Sequence, residues 1–108
     1  MPYIDFDRVK EMVSFSAVLK LLNWRHVRRE AGWYRGPCPV HRSSRASADC
    51  FAVREGGWKC HSCGRHGDQI RLWAEATRQE QYRAVLDLCG RLGLEVPLKV
   101  GAGQRFPR

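Results

Sequence analysis

Two short residue pairs decide what this chain can fold into: Cys38-Pro-Val-His41 and, after eighteen intervening residues, Cys60-His-Ser-Cys63. Two residues between paired donors let the backbone close a tight turn that puts both donors on one side of a tetrahedron. The intervening length is enough for a β-hairpin that carries the second knuckle back to the first, the arrangement of a zinc ribbon. Three thiolates and one imidazole fill all four positions of a zinc ion, so the expected site holds a single structural zinc with no position open for water or substrate. A redox role for Cys60 and Cys63 alone would leave the first pair unexplained. His61 and His66 lie close enough in sequence to compete as ligands, but geometry at the second knuckle favours the flanking cysteines. Cys50 and Cys89 read as packing residues.

At 108 residues the chain has room for one domain. A formal net charge of +8 points to an anionic partner, nucleic acid first and an acidic membrane surface second. No apolar run approaches membrane-spanning length, since Lys20, Asn23 and Arg25 interrupt the longest stretches. Asp5 and Asp7 stand where an export signal would be basic and then apolar, so the expected location is the cytoplasm. In that reducing compartment five cysteines fit a metal site better than a disulfide framework.

Along the chain, Asp5 or Asp7 caps a first short helix with Val9, Met12 and Val13 inward, and Ser14 caps a second through Phe15, Val18, Leu19 and Leu22. Residues 25–31 are basic and predict a turn or edge strand, and Trp33-Tyr34-Arg35 a further strand. Residues 50–54 and 58–60 form a hairpin about Gly56-Gly57. Asp68 caps a helix with Ile70, Trp73 and Ala74 inward. Thr77-Arg78-Gln79-Glu80 predicts a capping box opening a last helix that buries Tyr82, Val85, Leu86 and Leu92 and stops at Gly93. The predicted class is α+β: a small antiparallel zinc ribbon flanked by short helices over residues 4–97, with 98–108 a flexible basic tail.

Gly36-Pro37-Cys38-Pro39-Val40-His41, then Phe51-Ala52-Val53, then Trp58 through Ile70 including Gly67-Asp68, resemble the N-terminal zinc-binding domain of bacterial and phage DNA primases, the CHC2 zinc finger. The resemblance covers roughly residues 4–97, nearly the whole chain. It implies a module that reads a short sequence on single-stranded template DNA and helps a separate polymerase domain start an RNA primer. The chain departs from that pattern after His41, where residues 43–51 replace the family's basic-Thr-Pro-Ser-Phe stretch with a longer segment. It also carries no polymerase domain.

Single strands are held by aromatic platforms beside cations that follow the phosphates. Arg35, Arg42, Arg45, Arg54, Lys59, His61 and Arg65 are the candidate contacts to phosphate or base edges. Trp58 is a candidate platform or a core residue, Trp33 stands between the same two readings, and Phe51 reads as core. Alternation along a strand puts Trp33 and Arg35 on one face with Tyr34 on the other. Primer synthesis needs clustered carboxylates holding two metal ions. Asp5-Phe6-Asp7, the one Asp-x-Asp, is accounted for by helix capping. The chain is therefore expected not to be an enzyme by itself but the template-binding part of a primase, with the polymerase in trans and a replicative helicase as a further possible partner. A different class of reading is a zinc-ribbon protein–protein adaptor docking through residues 69–92 in a replication or mobile-element complex. A double-strand regulator lacks the basic recognition helix it would need.

Overall fold

Local side-chain chemistry starts each leading helix. In the computed structural model, which describes residues 2–41 and 49–100, α1 (Phe6–Met12) begins where the Asp5 carboxylate accepts the Arg8 N–H at 3.2 Å. Next, α2 (Phe15–Leu21) begins where the Ser14 hydroxyl accepts the Ala17 N–H at 3.1 Å. Val9, Val13, Phe15 and Val18 turn into the core. Met12, expected beside them, lies at the exposed end of a helix too short to bury a second stripe.

Five strands follow as an antiparallel meander in sequence order: β2 (Arg28–Glu30), β3 (Trp33–Gly36), β4 (Phe51–Arg54), β5 (Gly57–Cys60) and β6 (His66–Gly67). The expected edge strand and third strand are both present. They turn through Ala31 and Gly32, whose φ values of 51° and 86° are the two positive angles that match a hairpin turn to strand twist. The turn of the central hairpin is Glu55-Gly56 rather than Gly56-Gly57, because Gly57 already pairs with Arg54 in β5. Register across the sheet places Arg35, Ala52, Lys59 and His66 in one row and Tyr34, Val53, Trp58 and Gly67 in the next. Rows alternate between the two faces. Phe51, Val53, Trp58 and Cys60 therefore face the helices and are buried.

The last two helices close the core. Asp68 caps α3 (Gln69–Thr77) by accepting the Arg71 N–H at 2.8 Å, and Ile70, Leu72, Trp73 and Ala74 are buried. The capping box is not formed. Thr77 belongs to the last turn of α3, where its hydroxyl donates to the Trp73 carbonyl at 2.6 Å, and Glu80 precedes α4 (Gln81–Leu92). The buried face of α4 is Ala84, Val85, Leu88 and Cys89, with Tyr82 and Leu86 exposed. Both stripes have helical spacing, and the one through Ala84, Val85, Leu88 and Cys89 is the one packed into the core. Gly93 ends α4 in the left-handed conformation, φ 70°.

A buried amide ties the halves together. The Gln69 side chain donates to the carbonyls of Lys10 and Val13 at 2.9 and 2.7 Å, so the start of α3 clasps the end of α1. The expected tail boundary moves outward: Leu98–Val100 form β7, antiparallel to β1 (Pro2–Ile4). Residues 101–108 lie outside the described residues, as do the candidate contacts Arg42 and Arg45.

Candidate metal centre and nucleic-acid interface

The first knuckle leaves β3 through Gly36 and Pro37, and Trp24 fixes that exit. Its indole packs edge-on against Phe51 at 5.3 Å and donates to the Pro37 carbonyl, one residue before Cys38. Gly36 is needed for this approach, since a Cβ there would meet Trp24 Cζ2 at 2.8 Å and the Arg25 carbonyl oxygen at 3.0 Å. Gly36→Ala is expected to destabilise the chain by about 1–3 kcal/mol through this overpacking. A zinc-loaded thermal melt checks it, and an unchanged melting temperature would refute the contact. The second knuckle closes the end of β5, where the Cys63 N–H donates to Cys60 Sγ at 3.4 Å and the Gly64 N–H to the Cys60 carbonyl at 2.9 Å.

These two turns bring one donor atom each from Cys38, His41, Cys60 and Cys63 within 4.8 Å of one another. Zinc bonds of about 2.3 Å to sulfur and 2.0 Å to nitrogen put tetrahedral donors roughly 3.5–3.8 Å apart. The 3.6 Å between Cys60 Sγ and His41 Nδ1 fits that spacing and marks Nδ1 as the donor nitrogen. The ligand set read from the sequence is thus brought together. His61 and His66 are exposed and outside the cluster.

The face of the sheet turned away from the helices carries a second constellation. Trp33 lies half-buried on it, with the Arg54 guanidinium 4.5 Å from its ring centroid and the Lys59 ammonium 5.3 Å away. Both cations are exposed, and His66 pairs beside Lys59. His61 borders the same surface together with Arg35 and Lys59. Arg35 is already committed: its guanidinium donates twice to the Asp49 carbonyl, at 3.1 and 2.9 Å, and once to Glu30 at 3.2 Å. Trp58 does not belong to this face. Its register turns it inward, it is 2% exposed, and its indole donates to the Asp68 carbonyl at 2.8 Å. Arg65 is also elsewhere, paired with Glu75 of α3 at 2.8 Å.

The profile of the CHC2 zinc finger matches residues 3–104. The chain belongs to the CHC2 zinc-finger family. A DNA primase of Pasteurella multocida (strain Pm70) is 30% identical over 90 residues, which cover 82% of this chain and 15% of that protein. The crystal structure of the Aquifex aeolicus primase, comprising zinc-binding and RNA polymerase domains, matches with a TM-score of 0.65 at 22% identity, over 95% of this chain and 24% of that one. That likeness establishes the fold. The chain thus spans a small fraction of the length of either protein.

In this CHC2 zinc finger, Cys38, His41, Cys60 and Cys63 form a single zinc-binding site. The protein prepares its thiols unequally. Burial pushes the Cys38 thiol well above its ordinary range. Burial also opposes ionisation of Cys60, but the N–H groups of Cys63 and Ser62, with the neighbouring Cys63 and Cys38 thiols, outweigh it and hold Cys60 below the ordinary range. Cys60 is therefore more readily ionised than Cys38, and zinc binding requires its thiol ligands as thiolates. One residue of the finger was not singled out by the sequence pattern, and another was left between two readings. Trp24 had no local signal, whereas the parity of Trp33 with Arg35 pointed to a shared face without telling which face was open. Among the described residues no helix is long and apolar enough to cross a membrane.

Proposed function

We propose that the chain is the template-binding part of a DNA primase: the zinc holds the knuckles, and the open sheet face receives single-stranded DNA. The observation that carries this reading is Trp33 set between Arg54 and Lys59. An indole that stacks a base, flanked by cations that meet adjoining phosphates, is the combination by which sequence-tolerant single-strand binding works. Arg54, Lys59 and His61 are the proposed contacts. Arg35 serves chiefly to shape the surface through Asp49 and Glu30. Trp58 and Arg65 are not proposed as contacts, because one is buried in the core and the other is held at α3.

Catalysis of primer synthesis is assigned to a polymerase domain outside these residues. The zinc has four protein ligands, so no position is open for a nucleotide or an attacking hydroxyl. Positioning a template beside another active site raises the rate of joining the first two nucleotides without chemistry in this domain. A second reading, docking of a partner protein such as a helicase, is favoured by one feature: Tyr82 and Leu86, one turn apart on α4, are both exposed.

Titration of a labelled single strand at several salt concentrations tests the template reading. Each phosphate contact contributes about 0.7 to the slope of log affinity against log salt. Arg54→Ala and Lys59→Ala are each expected to flatten the slope by about that amount with zinc content intact. Affinity indifferent to salt would move the function to the adaptor reading. In the same preparations the chain alone should make no primer from nucleotides and magnesium.

A further inference from the structure

The zinc centre has a neighbour that its four ligands do not account for. Cys50, the residue before β4, has its thiol sulfur 4.0 Å from Nε2 of His41, whose other ring nitrogen, Nδ1, is the one in contact with Cys60. The Cys50 backbone is fastened to the second knuckle, since the His61 N–H donates to the Cys50 carbonyl at 2.8 Å. Cys50 therefore rests against one ligand of the set and is held in place from the hairpin, outside the Cys38–His41 turn. Cys89, by contrast, is sealed inside the face of α4.

The two sides of the set differ in how firmly they are held. Cys38 and Cys60 are buried, while His41 and Cys63, the outer residue of each knuckle, are exposed. Of the two exposed ligands, the imidazole is the one against which the fifth sulfur rests.

We propose that Cys50 is a reserve donor of the zinc centre, which takes the position of His41 when the imidazole leaves and converts a three-sulfur, one-nitrogen site into a four-cysteine site. In the exchange Cys50 gives up its proton, to the departing imidazole or to solvent, as its sulfur bonds zinc. No oxidant or reductant is involved. While His41 is bound through Nδ1, the Nε2–H can donate to the Cys50 sulfur, the kind of outer contact that orients a ligating histidine. Soft sulfur donors suit zinc as well as imidazole does, so the exchange leaves the metal bound.

Cobalt substitution reads the donor set directly, because sulfur-to-cobalt charge-transfer intensity grows with the number of thiolates. The intact chain and Cys50→Ser should both show the three-thiolate intensity. His41→Ala should show four thiolates, about a third more, and retain zinc to within roughly tenfold of the intact affinity, whereas His41→Ala/Cys50→Ser should fall at least about a hundredfold further. His41→Cys, which places its own thiolate at the knuckle, supplies the four-thiolate reference and the folding control. Three-thiolate intensity in His41→Ala overturns the proposal. So does loss of metal from His41→Ala when His41→Cys loads normally, or equal zinc affinities for His41→Ala and the double variant.

Discussion

Removing zinc is expected to unfold the sheet. Chelation of the purified chain, or Cys60→Ser, should abolish β-sheet circular dichroism and amide dispersion, and added zinc should restore both in the chelated chain but not in the variant. Apparent zinc free energies in small metal domains are roughly 10–16 kcal/mol, more than a 108-residue core usually leaves over after conformational entropy. Cys60 is the sharper substitution, because it ends β5, is buried, and receives the Cys63 N–H that shapes its knuckle. Phe51 and Trp58 pack against each other at 5.6 Å from strands that meet at this end, so the helices leaning on them lose their support as well. Cys89→Ser, inside α4, should keep one equivalent of metal even if it melts earlier. Full zinc occupancy in a folded Cys60→Ser protein would contradict the ligand assignment.

Trp33→Ala is expected to weaken single-stranded DNA binding by about 5- to 150-fold at fixed salt, from a stacking contribution of about 1–3 kcal/mol per base. Fluorescence anisotropy with a short labelled strand measures it, with zinc content and the melting curve recorded alongside. The loss should exceed that of Lys59→Ala or Arg54→Ala, because the indole supplies the platform and also organises both cations. Trp33→Phe should recover much of the affinity, since a smaller ring still offers a π-face. Unchanged binding by a zinc-loaded Trp33→Ala protein would remove the open face from consideration as the platform.

What the sequence disclosed was whatever its own local chemistry decides. The ligand pairs, the hairpin between them and the caps at Asp5, Ser14 and Asp68 all follow from residues a few positions apart, and the structure has each of them. The register of α4 did not follow, because Tyr82-Val85-Leu86 and Val85-Leu88-Cys89 are equally good helical stripes. Only the surface offered by α3 distinguishes them. Strand alternation gave the parity of the aromatic residues but not the inside of the sheet, so Trp33 and Trp58 could not be told apart until the helices had covered one side. The clasp of Gln69 on α1 joins residues 56 and 59 positions apart, and no local pattern announces such a contact.

The pairing of β1 with β7 has a mechanical consequence. Pro2 lies across from Val100 and Ile4 across from Leu98, so both outward ends of the pair point the same way. Tension applied between segments attached at those ends would peel the three residue pairs one after another, as a zipper opens, rather than load them together. The knuckles and the five-stranded sheet sit behind that zipper and would feel no force until it had opened.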